Sequence, residues 1–406
     1  MKLHLALPLV GLFLACSSTS SHDTPSDAGS QTDATSPLDA APGDARTSDV
    51  SSDAPDPYEE AVMAARWQAV SGAPTAPTMA KMDDIYLPSA LVGYAVSGAA
   101  STIYKTVDGG ATWTTSYTHA GTYFRSLDFI DDNHGFASNL GAGLASSITD
   151  TNVLYETKDA GTTWTPVTAI TGPMPSGICN QTQIDAQHLV AVGRVEGPAY
   201  FMKSSDGGAS WTSQDMSSEF TMLIDARFTS PTDGILIGSG PGNISTGSPA
   251  FHCSIEHTSD GGSTWQNVFT SKTANTLCWK ISFPSAQVGY VSVQDAGQSG
   301  PPSFLKTTDG GQTWTEKPLP KNPSGYYLGI GMGFITENIG WVSADYDGTS
   351  PSPEPTYRTI DGGETWTIDA TLKSPINRFR FLDPTTAFAI GGTVWKLSVP
   401  ATGGDM

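Results

Sequence analysis

The sequence predicts an all-β chain, a seven-bladed β-propeller of four-stranded antiparallel blades closed by an N-terminal strand, and three observations carry that prediction. A nine-residue phrase recurs six times: KTVDGGATW ending at Trp113, ETKDAGTTW at Trp164, KSSDGGASW at Trp211, HTSDGGSTW at Trp265, KTTDGGQTW at Trp314 and RTIDGGETW at Trp366. Its tryptophans are 51, 47, 54, 49 and 52 residues apart, the length of one four-stranded blade. A second element, an apolar residue followed about six positions later by a short alternating strand, occurs at 87–96, 129–138, 183–193, 228–237, 283–292, 334–343 and 381–390. The third observation concerns closure. The last unit supplies only three strands, ending with 392–398, while Trp67-Gln68-Ala69-Val70 resembles the strand after each turn. Pairing these two segments completes a seventh blade and removes free sheet edges.

In chain order, residues 1–15 read as an export signal, with Lys2 before the apolar stretch Leu3 to Leu14, too short to span a bilayer. Phe13-Leu14-Ala15-Cys16 resembles a lipobox and makes Cys16 the expected lipidation site. Residues 16–57 are almost wholly Ser, Thr, Asp, Ala, Pro and Gly. That composition offers nothing apolar to bury, so a disordered stalk is expected, with a reach of roughly 35 Å. A short helix is expected over 59–66, the propeller over 58–400 and a flexible tail over 401–406. The span 66–398 leaves about 48 residues per blade.

The net charge is −20, from 40 acidic and 20 basic residues. This argues against nucleic acid or anionic lipid as a direct partner and leaves membrane contact to the lipid anchor. Of the body cysteines, Cys253 begins a third strand and Cys278 the next inner strand, so these two are expected to form a disulfide, with Cys179 free.

The repeated turn has a physical logic. A short Asp carboxylate accepts N–H bonds from the residues that follow it, the glycines adopt positive φ, and the Trp fills space between blades. Blade 2 has Ala160 at the first glycine position, which marks the second, Gly161, as the demanding one. These turns, Asp108 to Trp113, Asp159 to Trp164, Asp206 to Trp211, Asp260 to Trp265, Asp309 to Trp314 and Asp361 to Trp366, resemble the Asp-box, or BNR repeat, of sialidases, other glycosidases and sortilin-type receptors. Together with GYAVSGAASTIYKTVDGGATW over 93–113, they look most like the photosystem II stability and assembly factor family. That resemblance implies the fold over nearly all of 67–398, and function only weakly, since members differ in activity.

Candidate chemistry is sparse. A sialidase needs an arginine triad, and Arg125, Arg227, Arg378 and Arg380 fall on expected inner strands, whereas Arg358, before a turn, is expected to face solvent. A glycosidase needs two carboxylates about 5 to 10 Å apart. Asp83, Asp84, Asp128 and Asp225 are the inner-strand acids. His252, Cys253 and His257 cannot share a metal, because at about 3.3 Å per strand residue Cys253 and His257 stand apart and His252 points the other way. No cofactor is expected. Loops 139–152, 239–251, 294–303 and 345–355 emerge on the face where inner strands begin, near Cys179, Trp279, Tyr326 and Tyr327, and loops on a rigid scaffold commonly carry function. The expectation is a monomeric, lipid-anchored, extracytoplasmic scaffold of the outer membrane that binds protein or glycan. The alternative is a glycoside hydrolase, sialidase-like or glucanase-like, working at the central channel.

Overall fold

The computed structural model describes residues 56–77, 80–244, 246, 248–295, 303–320, 329–344 and 355–400. Cys16, the stalk, the tail, Tyr326 and Tyr327 lie outside the described residues. Seven antiparallel sheets are arranged as blades, with inner strands Asp84–Tyr86, Phe124–Phe129, Asn180–Gln183, Met222–Phe228, Thr276–Ser282, Gly329–Phe334 and Ile376–Asp383. Blade 3 adds a two-residue strand, Ile170–Thr171, parallel to its outer strand. Closure is as expected. Trp67–Ala69 pairs antiparallel with Val394–Ser398, in the register Trp67 to Leu397, Gln68 to Lys396 and Ala69 to Trp395.

The core is a series of aromatic layers between neighbouring blades. The aromatic of one second strand stacks on the next blade's inner strand, Tyr94 on Phe129 at 4.1 Å and Tyr290 on Phe334 at 3.5 Å. The turn tryptophans then pack edge-on, Trp164 against Phe129, Trp211 against Phe136 and Trp265 against Phe201. A disulfide joins Cys253, in the third strand of blade 4, to Cys278 in the inner strand of blade 5, and Cys179 is a buried free thiol.

Each turn is built by side chains. Asp108 Oδ1 accepts the Thr112 N–H at 2.8 Å and Oδ2 accepts the Thr112 hydroxyl at 2.6 Å. The Thr106 hydroxyl donates to Asp108 at 2.8 Å and accepts the Gly110 N–H at 3.0 Å. The same bonds recur around Asp159, Asp206, Asp260, Asp309 and Asp361. Both glycine positions take positive φ, and Ala160 does so at 54°. Space separates the two positions. A Cβ at Gly208 would lie 2.1 Å from the Phe136 ring, whereas one at Gly207 meets only a carbonyl at 3.3 Å.

These hydrogen bonds hold Asp108, Asp206, Asp260 and Asp309 down to a pKa of about 2, from an ordinary 3.8, the hydroxyl four residues on being the largest cause in each. A carboxylate depressed in the folded state adds stability above its unfolded pKa and loses it as pH falls through the folded one. The urea midpoint should therefore hold down to about pH 4 and drop steeply between about 4 and 2. Asp108→Asn should make that drop shallower, and an unchanged slope would remove the turns from the account of acid stability.

A helix, Pro57–Ala64, precedes the ring, starting two residues before the expected position because the Asp56 side chain caps the Tyr58 N–H at 2.9 Å. Glu59 accepts hydrogen bonds from Thr336 at 2.9 Å and Asn338 at 3.0 Å. Arg358 does not face solvent freely. Its guanidinium donates to the carbonyls of Val62 and Met63 at 3.0 and 3.1 Å, satisfying the helix's C-terminal acceptors.

Candidate functional site

The inner strands carry the same irregularity at the same height. Register against the second strand slips by one residue at Arg125, Ile224, Trp279, Ile330 and Asn377. Asp83 and Cys179 hold the matching places in blades 1 and 3, where their N–H groups bond Val96 and Val192. A bulge of this kind re-aims side chains next to a regular ladder. The following residues then share one level around the axis by strand register: Asp84, Ser126, Asn180, Asp225, Lys280, Gly331 and Arg378.

Side chains of non-adjacent blades meet here, so they cross the channel. Arg378 of blade 7 donates to Asn180 Oδ1 of blade 3 at 3.2 Å and approaches Asp225 of blade 4 at 3.9 Å. Asn180 in turn donates to Asp225. Asp84 takes Arg378 on one side and Arg380 on the other, each at 3.1 Å. Burial opposes ionisation of Asp84, but the two guanidiniums outweigh it and keep its pKa below the ordinary range. Lys280 has the opposite fate: burial first, then the neighbouring Arg378 and Arg125 cations, push its pKa well down.

Toward the loop face, Arg125 pairs with Asp83 at 3.2 Å and lies 5.7 Å from the Trp279 ring, which reaches it from blade 5. Trp279 is 4% exposed and packs with Leu140, Cys179, Val195 and Phe251, so it lines the interior below loops 139–152 and 239–251. Toward the turn face, buried Asp128 accepts N–H bonds from Gln183 at 2.5 Å and Phe129 at 2.9 Å. Burial pushes its pKa up to about 6 against the pull of Arg380.

Of the sequence candidates, Arg378 and Arg380 enter one network with the acids Asp84 and Asp225, and Arg125 forms a separate pair with Asp83. Arg227 stands apart, its guanidinium stacked over Phe283 at 4.2 Å with no ion pair among the described residues. Sequence reading missed Lys280 and Asn180, which aligning the inner strands on their partner strands would have placed beside Asp84 and Arg378. It also missed the role of Arg194, which donates to the carbonyls of Leu140, Gly141, Ala142, Ser176 and Gly197 and binds three loops together. Asp83, Asp84, Asp128 and Asp225 are each buried and already hold internal partners. Among the described residues no group of three or more His, Cys, Asp or Glu is placed to hold a metal ion.

No family model matches the chain. The "Photosystem II assembly lipoprotein Ycf48" of Synechococcus sp. (strain CC9902) is 30% identical over 168 residues, 40% of this chain and 40% of that protein, so the match spans well under two thirds of the relative. The structure of "YCF48 bound to D1 peptide" superposes at TM-score 0.57 and 17% identity, over 82% of this chain and 97% of that one. The propeller resembles the Ycf48 assembly factors. YCF48 from Cyanidioschyzon merolae agrees at TM-score 0.59 and 16% identity, over 82% of this chain and 99% of that one. The fold is not peculiar to Ycf48-like chains. The GH74 xyloglucanase from Xanthomonas campestris matches at TM-score 0.54 and 14% identity, over 82% of this chain and 53% of that one. Likeness at these identities is likeness of fold. Among the described residues no helix is long and apolar enough to cross a membrane.

Proposed function

We propose that this chain is a lipid-anchored propeller of the cell envelope that binds a segment of another protein on its loop face and serves as an assembly scaffold. The observation that carries the reading is the filled channel. Asp83, Asp84, Asp128 and Asp225 are buried against internal partners, whereas a glycosidase keeps two carboxylates about 5 to 10 Å apart around a substrate bond. Recognition then falls to the loops that Arg194 and Trp279 support from below. The peptide in the YCF48 structure gives a protein ligand precedent on this fold, and the Synechococcus relative's name gives a lipoprotein precedent for Cys16.

The test is photo-crosslinking in envelope preparations. A benzoylphenylalanine at exposed Ser146 or Asn243, on the loop face, should give discrete protein adducts, and one at Val107 or Ile360, on the turn face, should give none. Cys16→Ser should move the protein from the membrane to the soluble fraction. Adducts confined to the turn face, or xyloglucan turnover abolished by Asp128→Asn, would overturn the reading, the latter in favour of the hydrolase.

A further inference from the structure

A pocket of about 260 Å³ opens on blade 4, beside the link that joins it to blade 3. Its wall includes Glu219 from the link between the blades, His252 just before the third strand of blade 4, Glu256 within that strand, and Asn267 from the outer strand. Everything chemical in it accepts hydrogen bonds or is neutral, and neither Lys nor Arg lines it. His252 Nδ1 lies 3.0 and 3.1 Å from the carbonyls of Ser271 and Thr273. Nδ1 therefore donates, which leaves Nε2 as an acceptor when the ring is neutral.

Glu256 is the informative residue. It is 6% exposed, its carboxylate receives the neutral Asn267 amide at 2.8 Å, and no Lys, Arg or His forms an ion pair with it among the described residues. Burial, aided by the Glu219 charge, raises its pKa. Strand register places Tyr104, Tyr155, Met202, Leu305, Tyr357 and Trp395 at the equivalent site of the other six blades. A blade can therefore be completed with an apolar or aromatic side chain here, and a buried carboxylate without a counter-charge is costly by comparison.

We propose that this pocket binds an organic cation, a primary ammonium or guanidinium group, with Glu256 as its counter-ion and Glu219 at the rim. The proposal is independent of which protein the loop face takes. Two sources carry this chemistry, a free diamine and a Lys or Arg side chain of a peptide. Titration calorimetry on the full chain at low salt and pH 7.5 should use putrescine, acetyl-Gly-Lys-Gly-amide and acetyl-Gly-Arg-Gly-amide separately. At least one should bind saturably, and saturation by putrescine alone or by a peptide alone names the source. Removing one member of a buried charge pair should weaken binding at least about tenfold in Glu256→Gln, which keeps the shape of the site. Glu256→Leu, copying Leu305 of blade 5, should abolish binding and raise the melting temperature, while remote Glu364→Gln should bind as the parent chain does. No saturable binding by any probe, or binding unchanged in Glu256→Gln, overturns the proposal.

Discussion

Asp84→Asn should cost about 3–5 kcal/mol of folding stability, because it removes the counter-charge of the buried Arg378 guanidinium and of the partly buried Arg380. Asp84 is fully buried, holds Arg378 and Arg380 at 3.1 Å each, and also accepts the Leu127 N–H from the neighbouring blade. The asparagine keeps the size and one acceptor, so the loss reads out charge rather than packing. Urea unfolding followed by tryptophan fluorescence measures it. The double variant Asp84→Asn/Arg378→Met should recover part of the loss, since exchanging a whole buried pair for neutral groups is far cheaper than removing one member. A loss below about 1 kcal/mol in the single variant would mean that water or another acid already compensates the arginines.

Trp67→Ala should cost a similar amount, about 3–5 kcal/mol, by the usual scale of emptying a large buried aromatic site. Trp67 is 3% exposed, meets Trp341 edge-on at 5.4 Å and Phe379 at 5.6 Å, and begins the strand that closes blade 7. Loosening that strand exposes the edge of Val394–Ser398, so concentration-dependent association should accompany the loss. Native mass spectrometry across a dilution series reports it. A variant that stays monomeric and loses under about 1 kcal/mol would show that the ring holds without this seam.

Blade number was legible because it rests on local, repeated chemistry, and closure because the last unit lacks the outer strand that 67–70 resembles. The Asp carboxylate, the tight glycine and the interblade Trp all sit within one nine-residue phrase, so six copies in the sequence announce six copies in space. The hydroxyl two positions before each Asp, Thr106 in the first turn, is equally repeated, yet its double role depends on backbone geometry that spacing alone does not reveal. The channel was only half legible. Arg125, Arg378 and Arg380 stood out as charges on inner strands, but their partners lie up to 296 residues away along the chain. The one-residue slip that sets Trp279 and Lys280 in register leaves no mark in composition. Trp279, which as a bare aromatic reads as a surface anchor, is interior because residues of two long loops and of blade 3 cover it.

The short helix before the ring fixes the side of the propeller on which the described chain begins. Glu59 bonds Thr336 and Asn338, which belong to the hairpin end of blade 6, on the same side as the Asp turns. Asp56, the first described residue, thus stands on the turn side. Under the anchoring proposed for Cys16, any pull would enter the ring through this helix and its contacts with blade 6, away from the face that carries the long insertions.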